Sequence, residues 1–194
     1  MYQRTNSVVE NYKQLRKDNQ YQTPEYGLKT LLTTFTLHDV LLFEMLEEEF
    51  GTPKAVELYA RLWSKRALYE FKDLKAHFGL KEEDPVDMPT LLKMIKKYFD
   101  DFGNPFIIAK QTDDYIEGHA VDCPYTTEVV WNTFPKEKAD HFNDSVQIAC
   151  NHAIFETFLK LAGLDKEWLF GFPAQLCRGA KHCTFTFTKK QSEG

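Results

Sequence analysis

The 194-residue sequence has no long apolar run. A helix crossing a bilayer needs about 20 apolar residues in succession, so no membrane partner is expected. Its first twenty residues, MYQRTNSVVENYKQLRKDNQ, lack the apolar stretch of a secretory signal. Basic residues are also short: 24 Lys and Arg stand against 29 Asp and Glu, for a formal net charge of −5. No basic stripe interleaves with aromatics, which argues against a nucleic-acid partner. KMIKKY at 93–98 reads as the wet face of a helix. There are only four cysteines. In the cytoplasmic location these absences suggest, they are expected to be reduced thiols or ligands rather than disulfides. Internal repeats and low-complexity tracts are missing too.

What is present is a core. Hydrophobic residues make up 43% of the chain and aromatics 14%, enough for one domain. Residues 1–26 read as an N-terminal arm ending near Pro24, followed by a single domain over 27–190. Its first part, 27–103, is helical. Thr36 can cap a helix, LHDVLLFEMLEEEF, that stops at Gly51, with Asp39 completing a short capping box. Thr52 and Pro53 supply a cap and a first-turn proline for a long second helix ending near Gly79. Its apolar face steps through Val56, Tyr59, Leu62/Trp63, Arg66/Ala67, Tyr69 and Phe71. A third helix runs from near Pro89 to Gly103.

From 104 to 190 the period changes. PFIIAKQTDDYIEGHAVDCPY (105–125) alternates about a polar turn and predicts a β-hairpin. Residues 136–162 return to helical spacing, with Cys150, Ile154, Phe158 and Leu161 on one face. EWLFGFPAQLC and HCTFTFTKK predict a second hairpin around Gly179. The fold class is therefore α+β: N-terminal helices, then a ββαββ unit forming a four-stranded antiparallel sheet covered by helices.

Strand parity suggests where the chemistry lies. Cys183, Phe185 and Phe187 share one face, the buried one. Cys177 lies across the hairpin on the partner strand. Cys123, at the end of the first hairpin, and Cys150, on the intervening helix, could meet Cys183 in one interior. His119 shares the parity of Val121 and Cys123 and is a candidate proton carrier. Zinc is the one metal these thiols suggest, through Cys150, Cys177 and Cys183. A six-residue step from Cys177 to Cys183 is nevertheless wider than zinc sites ordinarily use. Each thiol also fits as a small buried hydrophobe.

Four segments between about 36 and 188 carry a family resemblance: EEEFG followed by a helix containing ELYARLW, CPY at 123–125, CNHAIFE at 150–156, and GAKHCTFTF at 179–187. On these the sequence resembles the L-2-amino-thiazoline-4-carboxylic acid hydrolase-like family. Its C-terminal stretch is also similar to the small-molecule-binding 4-vinyl reductase domain, some relatives of which hold zinc there. The chain departs from the family at Ala153 and at Ala180–His182, where acids or paired cysteines are usual.

The resemblance implies an interior pocket and a hydrolase acting on a ring C–N or C–S bond of a small amidine- or amide-like substrate. Cys150, Cys183 and Cys123 are then the first candidates for nucleophile or ligand, if a thiol pKa is lowered. His119 and Asp39 follow as proton carriers, and Tyr115, Trp131 and Glu117 as substrate-contacting groups. The alternative is a non-catalytic small-molecule-binding or sensor domain with structural or zinc-binding cysteines. A homodimer through the long aromatic-rich helix is compatible with either.

Overall fold

The computed structural model describes residues 24–191, with side chains from Thr30 onward. Three helices come first: α1 (Pro24–Phe50), α2 (Thr52–His77) and α3 (Met88–Asp101). Strands β1 (Phe106–Gln111) and β2 (Tyr115–Ala120) follow, then a π-helical turn (Tyr125–Val130) running into the one-turn α4 (Trp131–Thr133). The long α5 (Lys136–Leu161), β3 (Trp168–Ala174) and β4 (Cys183–Lys189) complete the order. The four strands form one antiparallel sheet in the order β1-β2-β4-β3. The α+β class and the ββαββ order agree with the sequence. Among the described residues no helix is long and apolar enough to cross a membrane.

Several boundaries differ from the sequence reading. The expected arm at 1–26 lies outside the described residues up to position 23, and Pro24–Tyr26 already belong to α1. Thr36 and Asp39 cap nothing: both are buried in mid-helix. The reason is visible in TLLTTFTLHDV. Leu32, Phe35, Thr36, Asp39, Val40 and Phe43 form one inward stripe, so the helix extends well before Thr36. At the start of α2 it is Gly51 that takes the N-cap position, with φ 76°, while Thr52 is the first helical residue and donates to Glu47 Oε1 at 2.6 Å. At α3 the Asp87 side chain accepts from Thr90 N–H at 2.9 Å, a regular cap.

Two hydrophobic clusters fill the interior. One joins α3, the C-terminal part of α2 and the second half of α5 to the inner face of the sheet. Its centre is aromatic: Phe99 stacks on Phe106 at 4.7 Å and meets Phe185 edge-on at 5.0 Å. The other joins α1, the first half of α2 and the first half of α5, with Phe43, Tyr59 and Phe142 packed edge to face. Trp63 touches both clusters.

The sheet's inner face is set by Phe106, Ile116, Gly118, Ala120, Phe185 and Phe187. Gly118 leaves room for the Phe106 ring: a Cβ there would lie 2.1 Å from its Cζ. Gly118→Ala should therefore displace the ring from the Phe99 stack and destabilise the fold by about 3 kcal/mol in urea denaturation. A loss below about 1 kcal/mol would show that the ring is not confined.

Candidate functional site

Where the two clusters meet they do not close. A cavity of about 100 Å³ remains between α1, α2, α3, α5 and the inner face of the sheet. It is somewhat smaller than the ~150 Å³ apolar cavity known to take benzene, so it suits a small ring or a short chain. Aromatic walls come from Phe35, Trp63, Tyr98, Phe102 and Tyr125, and amide side chains from Gln147 and Asn151.

Cys123, Cys150 and Cys183 all line this cavity, as strand parity and helix position suggested. Cys150 sits where the stripe of α5 passes from one cluster to the other. Cys183 opens β4, and its Sγ accepts from Leu176 N–H at 3.3 Å. Cys123 follows β2 and donates to Thr126 Oγ1 at 3.6 Å. Their ionisation runs against thiolate chemistry. Burial pushes Cys123 up, pushes Cys183 to about 11, and together with the Asp39 charge pushes Cys150 well above the ordinary thiol range. A thiol at 11 is ionised to about one part in ten thousand at pH 7.

The remaining sequence candidates fall elsewhere. Cys177 is not on a strand. It lies in a one-turn 3-10 helix (Leu176–Arg178) closed by Gly179 at φ 89°, and faces a surface groove together with Trp131. Burial and the neighbouring Cys183 and Cys123 raise it to about 12. Trp131 is 43% exposed and outside the cavity lining.

His119, Glu117 and Tyr115 point away from the cavity, because β2 turns Ile116, Gly118 and Ala120 inward and ends at Ala120. The alternation that was to link His119 to Cys123 stops three residues short. The three residues do meet each other on the outer face of the sheet. Tyr115 Oη donates to Glu117 Oε2 at 2.7 Å, Glu117 Oε1 pairs with His119 Nε2 at 2.7 Å, and His119 stacks on His182 at 3.8 Å. Among the described residues no group of three or more His, Cys, Asp or Glu side chains is placed to hold a metal ion. That includes Cys150, Cys177 and Cys183, of which Cys177 faces the groove rather than the cavity.

The groups that define the cavity chemically are Arg66, Tyr59 and Asn104, none of them among the sequence candidates. Arg66 Nε donates to Glu70 Oε1 at 2.6 Å. Its guanidinium carbon lies 4.4 Å from the Trp63 ring, 4.7 Å from Phe35 and 5.2 Å from Phe102, a cation held among aromatic faces. Its Nη1 is buried with no partner among the described residues, and so is Asn104 Oδ1; Tyr59 Oη makes no well-aligned hydrogen bond but lies beside Asp39 and Tyr125. All three residues line the cavity. Tyr59 is 1% exposed and Asn104 8%. Arg66 had left a signal, since it is a charged residue on the apolar stripe of α2. Asn104 follows the Gly103 turn and leaves none.

Behind this wall sits Asp39, 5% exposed, accepting from Tyr125 Oη at 3.3 Å. Burial raises its carboxyl from 3.8 to about 6, while Arg66, Tyr125, Tyr59 and His38 pull the other way.

These features describe an α+β domain with a largely apolar, aromatic-walled pocket that carries a few polar groups. No family model matches the chain, and no curated protein does. Among solved structures the chain is similar to trafficking protein particle complex subunit 3 from Naegleria fowleri, a structure covalently bound to palmitic acid. The TM-score is 0.56 at 12% identity, covering 86% of this chain and 97% of that one. That likeness concerns the fold alone.

Asp39 gives a stability test. Its folded pKa is raised, so its contribution is complete below about 3.8 and is lost as pH rises through about 6. The shift corresponds to about 3 kcal/mol. Measured against Asp39→Asn, the wild type should lose up to about 3 kcal/mol of stability between pH 4 and pH 8. A constant difference across that range would refute the buried-carboxyl assignment.

Proposed function

We propose that the chain is a small-molecule-binding domain whose interior cavity takes a small organic anion. The observation that carries this reading is that Arg66 and Asn104, each with a buried polar atom lacking a partner, line one cavity together with Tyr59. Buried polar atoms are nearly always hydrogen-bonded, and each exception needs a cause. A carboxylate offering an acceptor to Arg66 supplies one, with its polar end beside Tyr59 and Asn104. The aromatic walls suit the apolar part of such a molecule. The resemblance to the amino-thiazoline-carboxylate hydrolase-like family supports the same ligand class.

A second reading keeps the hydrolase. One observation favours it: Asp39, with a carboxyl near 6, lies behind Tyr125, Tyr59 and Cys150. A group titrating there can both take and return a proton near neutral pH. In that reading the bond cleaved is a ring C–N or C–S bond of an amidine- or amide-like substrate, and water, relayed to Asp39, is the attacking group. Cys150 then packs beside the reaction rather than attacking, because burial holds its thiol neutral. A homodimer through α1 and α2 would cover Leu31, Leu41, Met45, Leu62 and Tyr69, all of them exposed.

Two measurements separate the readings. Propionate and benzoate should bind and raise the melting temperature, and the neutral propionamide and benzamide should bind at least tenfold more weakly. Arg66→Met combined with Glu70→Gln, which removes both members of the ion pair together, should erase the preference for the anion. Equal affinity for acid and amide in the wild type would overturn the anion assignment. Turnover of cyclic amidines or amides that survives in Cys150→Ser and is lost in Asp39→Asn would favour the hydrolase. Loss in Cys150→Ser with an intact melting curve would restore the thiol as nucleophile.

A further inference from the structure

Asp39 and Arg66 are opposite charges in one interior, and only Arg66 lines the cavity. Arg66 is already balanced once, by Glu70, and faces Asp39 as well. An anion arriving at Nη1 is a further negative charge beside a single guanidinium. These groups are largely buried, so screening is weak. The groups facing Asp39 are few: His38 on α1, Tyr59 and Arg66 on α2, Tyr125 in the π-helical turn, and Cys150 on α5. Arg66 and Glu70 stay committed to each other through the Nε–Oε1 bond. Tyr59 and Cys150 are raised by burial and hold their protons at neutral pH. Burial raises the Glu70 carboxyl too, but its bond to Arg66 opposes that, whereas Asp39 is bonded to no cation and is the group whose charge changes most readily.

Building on the anion-pocket reading, we infer that this cavity is a proton-coupled site: an organic anion binds together with a proton that Asp39 takes up. The anion enters with its negative charge, Asp39 gives up its own by protonation, and the charge around Arg66 and Glu70 is unchanged. The protonated carboxyl keeps its Tyr125 contact, because its second oxygen can accept while the first carries the proton. Tyr125 itself lines the cavity, so the proton sits one side chain away from the ligand. The sign follows from linkage. Where Asp39 is ionised in the empty protein, binding consumes a proton, and affinity rises as pH falls. Below about 6 the carboxyl of the empty protein is already protonated, and the dependence levels off.

The test is calorimetric titration of the full chain with propionate and with benzoate at pH 7.5, each in HEPES and in Tris. The two buffers differ in ionisation enthalpy, so the observed heats report the protons exchanged. Wild type should take up a substantial fraction of one proton per anion, and its affinity should tighten by up to about tenfold per pH unit from 8 towards 6. Asp39→Asn replaces the carboxyl by a neutral amide of the same shape. It should bind with heats independent of the buffer and an affinity flat over that range. Binding without proton uptake in the wild type overturns the coupling and leaves the anion pocket standing. Uptake that persists in Asp39→Asn overturns the assignment to Asp39. If neither anion binds the wild type, the pocket reading and the coupling fall together. Should Asp39→Asn not fold, the wild-type buffer comparison and pH profile decide alone.

Discussion

One apolar stripe on α5 organises the molecule. Ala139, Phe142, Val146, Cys150, Ile154, Phe158 and neighbouring positions recur at three and four residues along a single helix. Its first half packs against α1 and α2, and its second half covers the sheet together with α3. Two clusters that would otherwise be separate are thus tied to one rigid rod. The helix cannot match both surfaces perfectly. The mismatch falls between Cys150 and Ile154, where the cavity lies. The site is therefore a consequence of the architecture, positioned mostly on helices and strands, with Asn104 and Cys123 added from the segments beside β1 and β2.

The charged groups are the second constraint. Placing Arg66 on the inward side of α2 is tolerable only because Glu70 binds one edge of the guanidinium and aromatic faces surround the rest. Isolated buried charge costs several kcal/mol, so the aromatic composition of the walls and the charge are parts of one solution. Asp39 shows the same pressure from the other side. Burial, more than any neighbour, sets its titration. The thiols respond to the same dry environment by staying protonated. A single physical cause, scarcity of water at the seam, raises the carboxyl into a useful range and takes the thiols out of theirs.

Much of the fold is legible in local pattern. Period-2 and period-3.6 stretches identify all four strands, the long helices and the order ββαββ, because the sheet and α5 each bury one face continuously. Boundaries are less legible where a polar residue turns inward. Thr36 and Asp39 look like caps because Thr and Asp favour helix starts, yet both are buried inside α1. Strand parity placed Cys183 correctly, since Phe185 and Phe187 declare the buried face. It misplaced His119, Glu117 and Tyr115, since alternation in β2 does not say which set is inward. Gly118 decides that, by admitting the Phe106 ring.

By itself the sequence determined the α+β class, the four strands and the interior position of three cysteines, because each follows from periodic burial within one segment. Tertiary structure decided the chemistry. Arg66, Tyr59 and Asn104 come from α2 and the link before β1, and Asp39 from α1. They meet only after two clusters pack around α5, and the unpartnered atoms of Arg66 and Asn104 have no counterpart in local pattern. Whether a thiol ionises, or a carboxyl titrates near 6, depends on water excluded by residues distant in the chain. Spacing along one segment cannot encode that exclusion, because desolvation belongs to the assembled interior.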